Sequence, residues 1–200
     1  MSAPLSQQIA VAAAQLVVDD GLEYDSARRK AAQAFGGRRL RPSDLPRNEA
    51  IEDEVHAYIA IFHAETQGLE LRALRELAWR WMKRLQDHRP HLAGAVWRGT
   101  ATRLSAILID LYCDDPKSAE IDLLNQGIAF DAGTDLPGAD TSKSVLTIAD
   151  RSETLGETVT LHLVMHDLDD LRGALRPDAR GRSWRGDLVA VQRLLAESKP

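Results

Sequence analysis

The residues best suited to chemistry lie in the stretch Gly94–Leu111, where two apolar segments are joined by a short polar turn. The turn begins with Gly99 and Thr100, a pair that can offer backbone amides and a hydroxyl group to a phosphate. Arginines beside the turn could add positive charge. The same pair also fits an ordinary turn between two strands. The candidate phosphate-binding residues are Gly99, Thr100, Arg98, Arg103 and Ser105.

The order of these features resembles the polymerase-β-like nucleotidyltransferase superfamily over about residues 91–165. In that family a Gly-Ser or Gly-Thr pair cradles the triphosphate, and the next strand presents two carboxylates one residue apart. Residues two apart on a strand point to the same face, so that both acids can hold the divalent ions of the reaction. The resemblance implies acids soon after Ser105, but Ala106 and Leu108 occupy those positions.

The carboxylates that remain are too few for a metal centre. Asp110 is the only acid on this segment before Asp114, and a lone carboxylate is a poor site for Mg²⁺. Asp110 is a candidate metal ligand or, alternatively, a solvent-facing or capping residue. The segment Thr158–Leu163, where the family implies a third acid, contains His162 but no carboxylate. This departure from the family pattern argues against catalysis without deciding whether the chain is an enzyme.

The elements before residue 90 are predicted to be helical. Apolar residues recur at three- and four-residue steps, capping residues and acids mark the starts, and glycines mark the ends. The predicted helices are Leu5–Asp19, Asp25–Phe35 with Asp25 as N-cap, Asn48 to about Gly68 with Asn48 as N-cap, and Leu69 to about His88. Two prolines make 38–47 a predicted loop.

After Pro90 the apolar runs become short and rich in β-branched residues, which predicts strands. The predicted strands are Leu92–Trp97, Ala106–Cys113, Ile128–Phe130, Val145–Ala149 and Thr158–Met165. Helices are predicted over Pro116–Gln126 and Gly186–Glu197, and 131–144 is predicted to be a mobile exposed loop. The long apolar run of Ala106–Cys113 predicts an interior strand next to Leu92–Trp97.

These patterns predict an α+β fold in which a helical N-terminal part, residues 1–90, precedes a small mixed sheet flanked by helices, residues 91–200. The resemblance implies that the second part is nucleotidyltransferase-like. With 44% hydrophobic residues, the 200-residue chain has ample material for a core.

Composition bounds the functions that the chain can have. The net charge of −5 argues against a protein whose main task is to wrap nucleic acid. The single cysteine, Cys113, excludes an intramolecular disulfide. No apolar stretch approaches the roughly 20 residues that cross a bilayer, and no secretory signal is visible. We expect a cytoplasmic protein without a membrane partner.

A second resemblance concerns the N-terminal helices. The run Ile9–Leu16, followed by Gly21, Leu22 and Ala27, is similar to the opening of TetR-type repressors. That resemblance implies DNA binding through a recognition helix. Prolines interrupt 38–47, however, and the next helix begins with acids that phosphates would repel, which makes nucleic acid an unlikely partner.

Three functional hypotheses follow. The favoured one is a catalytically degenerate nucleotidyltransferase-like protein that binds a nucleotide, another phosphorylated ligand or a protein partner. In the second, an active enzyme recruits Mg²⁺ with acids outside the strand, such as Asp114, Asp115 or Asp150. The third is a DNA-binding regulator that acts through the N-terminal helices. The sequence identifies no catalytic residue, no cofactor beyond the Mg²⁺ of the second hypothesis, and no oligomeric state.

Overall fold

A computed structural model describes residues 3–36, 40–115, 117–133 and 143–197 of the chain. The fold is α+β, as the sequence predicts: helices precede and surround one mixed sheet. The helices in the described residues are α1 Leu5–Asp19, α2 Tyr24–Ala34, α3 Asn48–Phe62, α4 Gln67–Arg84, α5 Gly94–Arg98, α6 Lys117–Asn125, α7 Leu171–Ala174 and α8 Leu188–Glu197.

The strands form a single sheet in the described part of the chain, in the order β3-β4-β5-β2-β1-β6. Only β2 and β5 run parallel, and the other neighbouring pairs are antiparallel. The strands are β1 His91–Ala93, β2 Ile107–Cys113, β3 Asp131–Gly133, β4 Val145–Arg151, β5 Thr158–Asp167 and β6 Arg185–Gly186.

The prediction of an interior strand at Ala106–Cys113 is confirmed. β2 lies between β5 and β1, and most of its side chains are buried. Its alternate residues Ile107, Ile109 and Leu111 are fully buried against the helices on one side of the sheet. The apolar run of this strand therefore reflects burial on both faces, which is typical of a central strand.

The strand predicted over Leu92–Trp97 is wrong beyond Ala93. Gly94 has a φ of +65°, a left-handed conformation that ends the extended chain and starts the five-residue helix α5. Five residues are too few to show a helical period, so the apolar run looked like a continuing strand.

Smaller differences concern element ends. The N-cap of helix α3 is Arg47, whereas the sequence predicted Asn48. The helix ends at Phe62 and not near Gly68, because His63 leaves the helical conformation. Helix α2 begins one residue before the predicted cap, after Glu23. Residues 128–130 are not a strand, and β3 follows them at Asp131–Gly133. Most of the predicted mobile loop, residues 134–142, lies outside the described residues.

Two apolar cores form. The larger core packs α4, α5, α6 and α8 against one face of the sheet. The smaller core is formed by α1, α2 and α3. Helix α4 precedes residue 91 but shares the core of the sheet, with Leu74, Leu77 and Met82 almost fully buried there.

The smaller core is attached to the loop 100–105 that precedes β2. The Tyr24 hydroxyl hydrogen-bonds the Thr100 hydroxyl, and the Thr102 hydroxyl donates to the Val18 carbonyl at 3.2 Å. Gly21, with a φ of +67°, packs directly against the Leu104 carbonyl, where a Cβ atom would collide. These contacts hold the α1–α2 turn over the sheet.

Residues 178–185, which we call the C-terminal strap, cross from α3 to the sheet. The fully buried Glu52 of α3 accepts a hydrogen bond at 2.9 Å from Arg98 Nε and is also paired with Arg182. Arg98 is paired in turn with Asp178 at 3.0 Å and lies over the Trp184 ring. The strap therefore joins both cores through a buried charge network.

Candidate functional site

A cleft of about 390 Å³ opens between the α1–α2 turn and the face of the sheet that the larger core leaves free. Most of its lining comes from the α1–α2 turn and the first residues of α2, from β2 with the preceding Ala106, and from the C-terminal strap. The lining residues are Gly21, Leu22, Glu23, Tyr24, Asp25, Ser26, Asn48, Ala93, Gly94, Ala106, Leu108, Asp110, His162, Trp184 and Arg185. A concave site of this size can enclose a small molecule.

Alternate residues of the β2 segment form the floor of the cleft. Ala106, Leu108 and Asp110 line it, whereas the residues between them face the larger core. In the parallel pairing of β2 with β5, Leu108 lies opposite His162, which also lines the cleft. The two positions where the family resemblance implies acids therefore do face the cleft, and they offer a methyl group and an isobutyl group in place of oxygen ligands.

Asp110 is held by two side chains of its own chain. One carboxylate oxygen is 2.9 Å from His166 Nε2, and the other is 3.0 Å from an Arg185 guanidinium nitrogen. The same guanidinium nitrogen donates to the Tyr112 hydroxyl, and Lys143 Nζ lies 2.7 Å from His166 Nδ1. A metal ion at Asp110 would have to break these pairs.

The residues of the cleft do not fit the two-magnesium centre that the resemblance implies. Ala106 and Leu108 supply no ligands, and Asp110 is already paired. No group of three His, Cys, Asp or Glu side chains converges anywhere in the described part of the chain. Mg²⁺ requires several oxygen ligands in an octahedral arrangement, which this site lacks.

Glu23 provides an acidic group that the sequence analysis did not identify. Its half-buried carboxylate lies over Gly94, so that a Cβ atom at residue 94 would be 2.7 Å from Glu23 Oε2. Among the described residues, none forms a hydrogen bond or an ion pair with this carboxylate. Burial, with smaller contributions from Asp25 and Asp110, raises the pKa of Glu23 to about 7.

The other polar residues of the cleft are mostly neutral or paired. Burial lowers the pKa of His162, whose ring Nδ1 is 3.1 Å from the Thr147 hydroxyl, and this keeps the imidazole neutral near pH 7. Asp25 is exposed and paired with Arg28 at 2.7 Å. Glu23 is therefore the group of the cleft whose protonation state a bound ligand could change most near pH 7.

The Gly-Thr turn lies away from the cleft. Gly99 follows α5 and is close to Arg75, and Thr100 is fully buried with its hydroxyl bonded to Tyr24. The glycine that faces the cleft is Gly94, five residues earlier and directly after β1. The sequence contained a signal for this glycine, because Gly94 directly follows the apolar residues Leu92 and Ala93.

The remaining phosphate-binding candidates also have partners within the protein. Arg98 is nearly inaccessible in its pairs with Glu52 and Asp178. Arg103 is exposed and paired with Glu157 at 2.8 Å, outside the cleft. The Ser105 hydroxyl accepts a hydrogen bond from the Thr102 backbone. Phosphate binding by these residues stays a prediction.

The acids of the second hypothesis do not line the cleft. Asp114 and Asp115 follow β2 on the surface, and Asp150 of β4 accepts a hydrogen bond from the Trp81 indole at 2.8 Å. The helix that the third hypothesis would need, α3, has its acidic residues Glu52 and Asp53 paired with arginines, including those of the strap.

Comparison of the chain with known proteins identifies no related protein. No protein-family model matches the chain, and no curated protein or solved structure is significantly similar to it. None of the helices in the described residues combines the length and the apolar character that a membrane crossing requires. The cleft is therefore the feature of the protein from which a function can be inferred.

Sequence reasoning missed Glu23, Tyr24, Trp184 and Arg185 because their role depends on tertiary contacts. The turn that carries Glu23 is far from Gly94 along the chain, and the contacts of Gly21 with Leu104 and of Tyr24 with Thr100 bring the two together. Nothing in the local pattern around residue 23 marks it as part of a site.

Proposed function

We propose that this protein binds a small molecule in the cleft and does not catalyse nucleotidyl transfer, on a scaffold that resembles a degenerate nucleotidyltransferase. The observation that carries the proposal is the floor of the cleft. Ala106 and Leu108 face a preformed cavity at the positions where the resemblance implies carboxylates. A cavity whose floor offers aliphatic side chains in place of metal-binding oxygens is suited to binding rather than to phosphoryl chemistry.

The order of the elements around the cleft supports the family resemblance. A short strand leads through Gly94 into a short helix, and an interior strand then brings residues 106, 108 and 110 to the same cavity. Membership of the superfamily remains part of the proposal, because fold-level likeness is an analogy and does not itself assign an activity.

A cytoplasmic location is also part of the proposal. Cys113 is a free, buried thiol, and burial raises its pKa, so it has the character of a core residue in a reducing compartment.

The proposal is tested by a ligand screen together with an assay of transfer. Wild-type protein is screened by thermal shift and calorimetry against nucleotides with and without Mg²⁺, inorganic phosphate, carboxylic acids, sugars and amines. We expect at least one class to bind, and Leu108→Trp, which fills the floor of the cleft, to abolish that binding. Val189→Trp adds the same side chain at an exposed site outside the cleft and should leave binding intact.

Transfer of radiolabelled nucleotide to protein or RNA should be undetectable with Mg²⁺. Robust Mg²⁺-dependent transfer that Asp110→Asn abolishes would overturn the proposal in favour of an active enzyme. Failure of every ligand class to bind in the cleft would also overturn it and would leave a partner-binding module as the remaining hypothesis.

A further inference from the structure

The charges in the cleft leave one carboxylate without compensation. Asp110 is paired with Arg185 and His166, and Asp25 is paired with Arg28. Glu23 has neither a hydrogen-bond donor nor a cation beside it in the described part of the chain. A single positive charge placed near Gly94 would complete the pairing, because opposite charges in a partly desolvated site attract strongly.

The rest of the cleft is mainly apolar. Leu22, Ala93, Ala106 and Leu108 contribute aliphatic surface, and Tyr24 and Trp184 contribute aromatic rings. Trp184 already holds one cation, since Arg98 lies 4.0 Å from the centre of its ring. Walls of this kind bind apolar groups and also favour a cation next to an aromatic face.

We propose that the cleft selects a small amine with one positive charge and an apolar or aromatic body, whose ammonium group pairs with the Glu23 carboxylate. The inference rests on the proposed binding function and names its ligand class. The apolar body occupies the floor formed by Ala106 and Leu108, and the ammonium group pairs with the Glu23 carboxylate, which fits beside Gly94 because that residue has no side chain.

Anionic ligands are disfavoured by the same charges. The cleft contains three carboxylates, Glu23, Asp25 and Asp110, and its one arginine is already paired with Asp110. A phosphate or carboxylate ligand would be repelled by Glu23, and Arg185 could offer it only the unpartnered Nε, because the charge of this arginine already compensates Asp110. Selection of cations over anions therefore follows from the pairing pattern.

Binding of the amine is coupled to ionisation of Glu23. Asp25 of α2 and Asp110 of β2 face its carboxylate, and His162 of β5 and Arg185 of β6 line the same cleft. Since the pKa of Glu23 is about 7, the free protein holds a proton there at pH 6, and the ammonium group displaces it. Affinity should rise about tenfold from pH 6 to pH 8, with release of close to one proton per ligand at pH 6.

The test is calorimetric titration of the whole protein with phenethylamine, with 2-phenylethanol as the uncharged match of the same shape. We expect the alcohol to bind at least tenfold more weakly at pH 8. Glu23→Gln should lower the affinity for the amine at least tenfold at pH 8 and should abolish the pH dependence. Glu157→Gln removes the same charge at an exposed site outside the cleft and should change neither.

Proton release, measured in two buffers of different ionisation enthalpy, gives a readout on the wild type itself and does not depend on whether a variant folds. Equal affinity for the amine and the alcohol, or equal binding by wild type and Glu23→Gln, would overturn the inference. Binding of only nucleotides, phosphate or acids in the cleft would overturn the inference and leave the proposed function standing. If no ligand class binds, both are wrong.

Discussion

At the scale of single residues, the protonated carboxyl group of Glu23 links the cleft to the stability of the fold. Its pKa is raised from the ordinary 4.5 to about 7, chiefly by burial. The folded state therefore holds a proton that the unfolded chain releases between these two values. The stabilisation from this group is fully present below pH 4.5 and is lost as the pH rises through 7.

Glu23→Gln should therefore be more stable than the wild type at high pH. At pH 8 the wild type carries a partly buried charge that the amide lacks, and we expect the variant to gain up to about 3 kcal/mol in the free energy of unfolding. At pH 4 the two proteins should be equally stable. Urea unfolding at both pH values measures the difference, and a variant that is less stable at pH 8 would contradict the assignment.

Arg98 gives a second prediction at this scale. Its side chain is 3% exposed and that of its partner Glu52 is fully buried. Arg98→Met should cost about 3–5 kcal/mol, because it leaves the buried charge of Glu52 with the exposed Arg182 as its remaining arginine partner. Arg182→Ala should cost no more than about 1 kcal/mol. Unfolding in urea compares the two, and addition of Glu52→Gln to Arg98→Met should recover part of the loss.

At the scale of elements, the alternation of side chains between the two faces of β2 determines which residues line the cleft. Ala106 and Leu108 face the cleft, and Ile107 and Ile109 face the larger core. Ala106→Asp with Leu108→Asp should therefore leave the protein folded and strengthen Mg²⁺-dependent binding of ATP at least tenfold, since carboxylates are the ligands that Mg²⁺ requires. Calorimetry with and without Mg²⁺ is the measurement.

The matched control introduces an aspartate at Ile107, the neighbouring residue of β2 that faces the larger core. Ile107→Asp should cost more than about 4 kcal/mol, because it puts an unpaired carboxylate at a position that is fully buried. If Ile107→Asp were tolerated and the cleft-facing pair were not, the register of β2 would be wrong.

Sequence patterns predicted helices and strands correctly where the segment was long enough to show a regular spacing of apolar residues. The helix over Leu5–Asp19 and the interior strand at β2 follow from the spacing of apolar residues. Helix α5 was not predictable, since five residues show no period and the turn depends on the backbone of Gly94. The sequence also shows that residues 106 and 108 are not acids. Glu23, however, comes to the cleft through packing between the two cores, and no local sequence pattern indicates such packing.

At the scale of the whole molecule, the two cores are joined at a few close contacts. Gly21 packs against the Leu104 carbonyl in a left-handed conformation, so an alanine there would meet both steric collision and backbone strain. The strap and the Tyr24–Thr100 hydrogen bond supply the other connections. We expect the wild type to unfold in one cooperative transition.

Gly21→Ala should separate the cores. Gly156 has nearly the same φ, +69°, but no atom lies within 4 Å of the Cβ that an alanine would add. Gly156→Ala should therefore cost only the strain of the left-handed backbone, about 1–2 kcal/mol. Gly21→Ala should cost more and should produce a second calorimetric transition from the core of α1, α2 and α3. Equal effects of the two substitutions would contradict this account.

The strap has a consequence for the order in which the nascent chain can acquire its structure. Glu52 and Arg98 are made before Asp178, Arg182 and Trp184, which complete their network from a segment about 80 residues further along the chain than Arg98. β2 likewise waits for β5, its parallel neighbour, and β1 waits for β6. Helices α1–α3 can pack on the loop 100–105 through Tyr24 and Gly21 before the strap is made, but the buried charge network closes only once residue 185 has emerged. Until these later strands are made, the edges of β1 and β2 that pair with β6 and β5 stay unpaired, which is the kind of edge that makes a folding intermediate prone to aggregation.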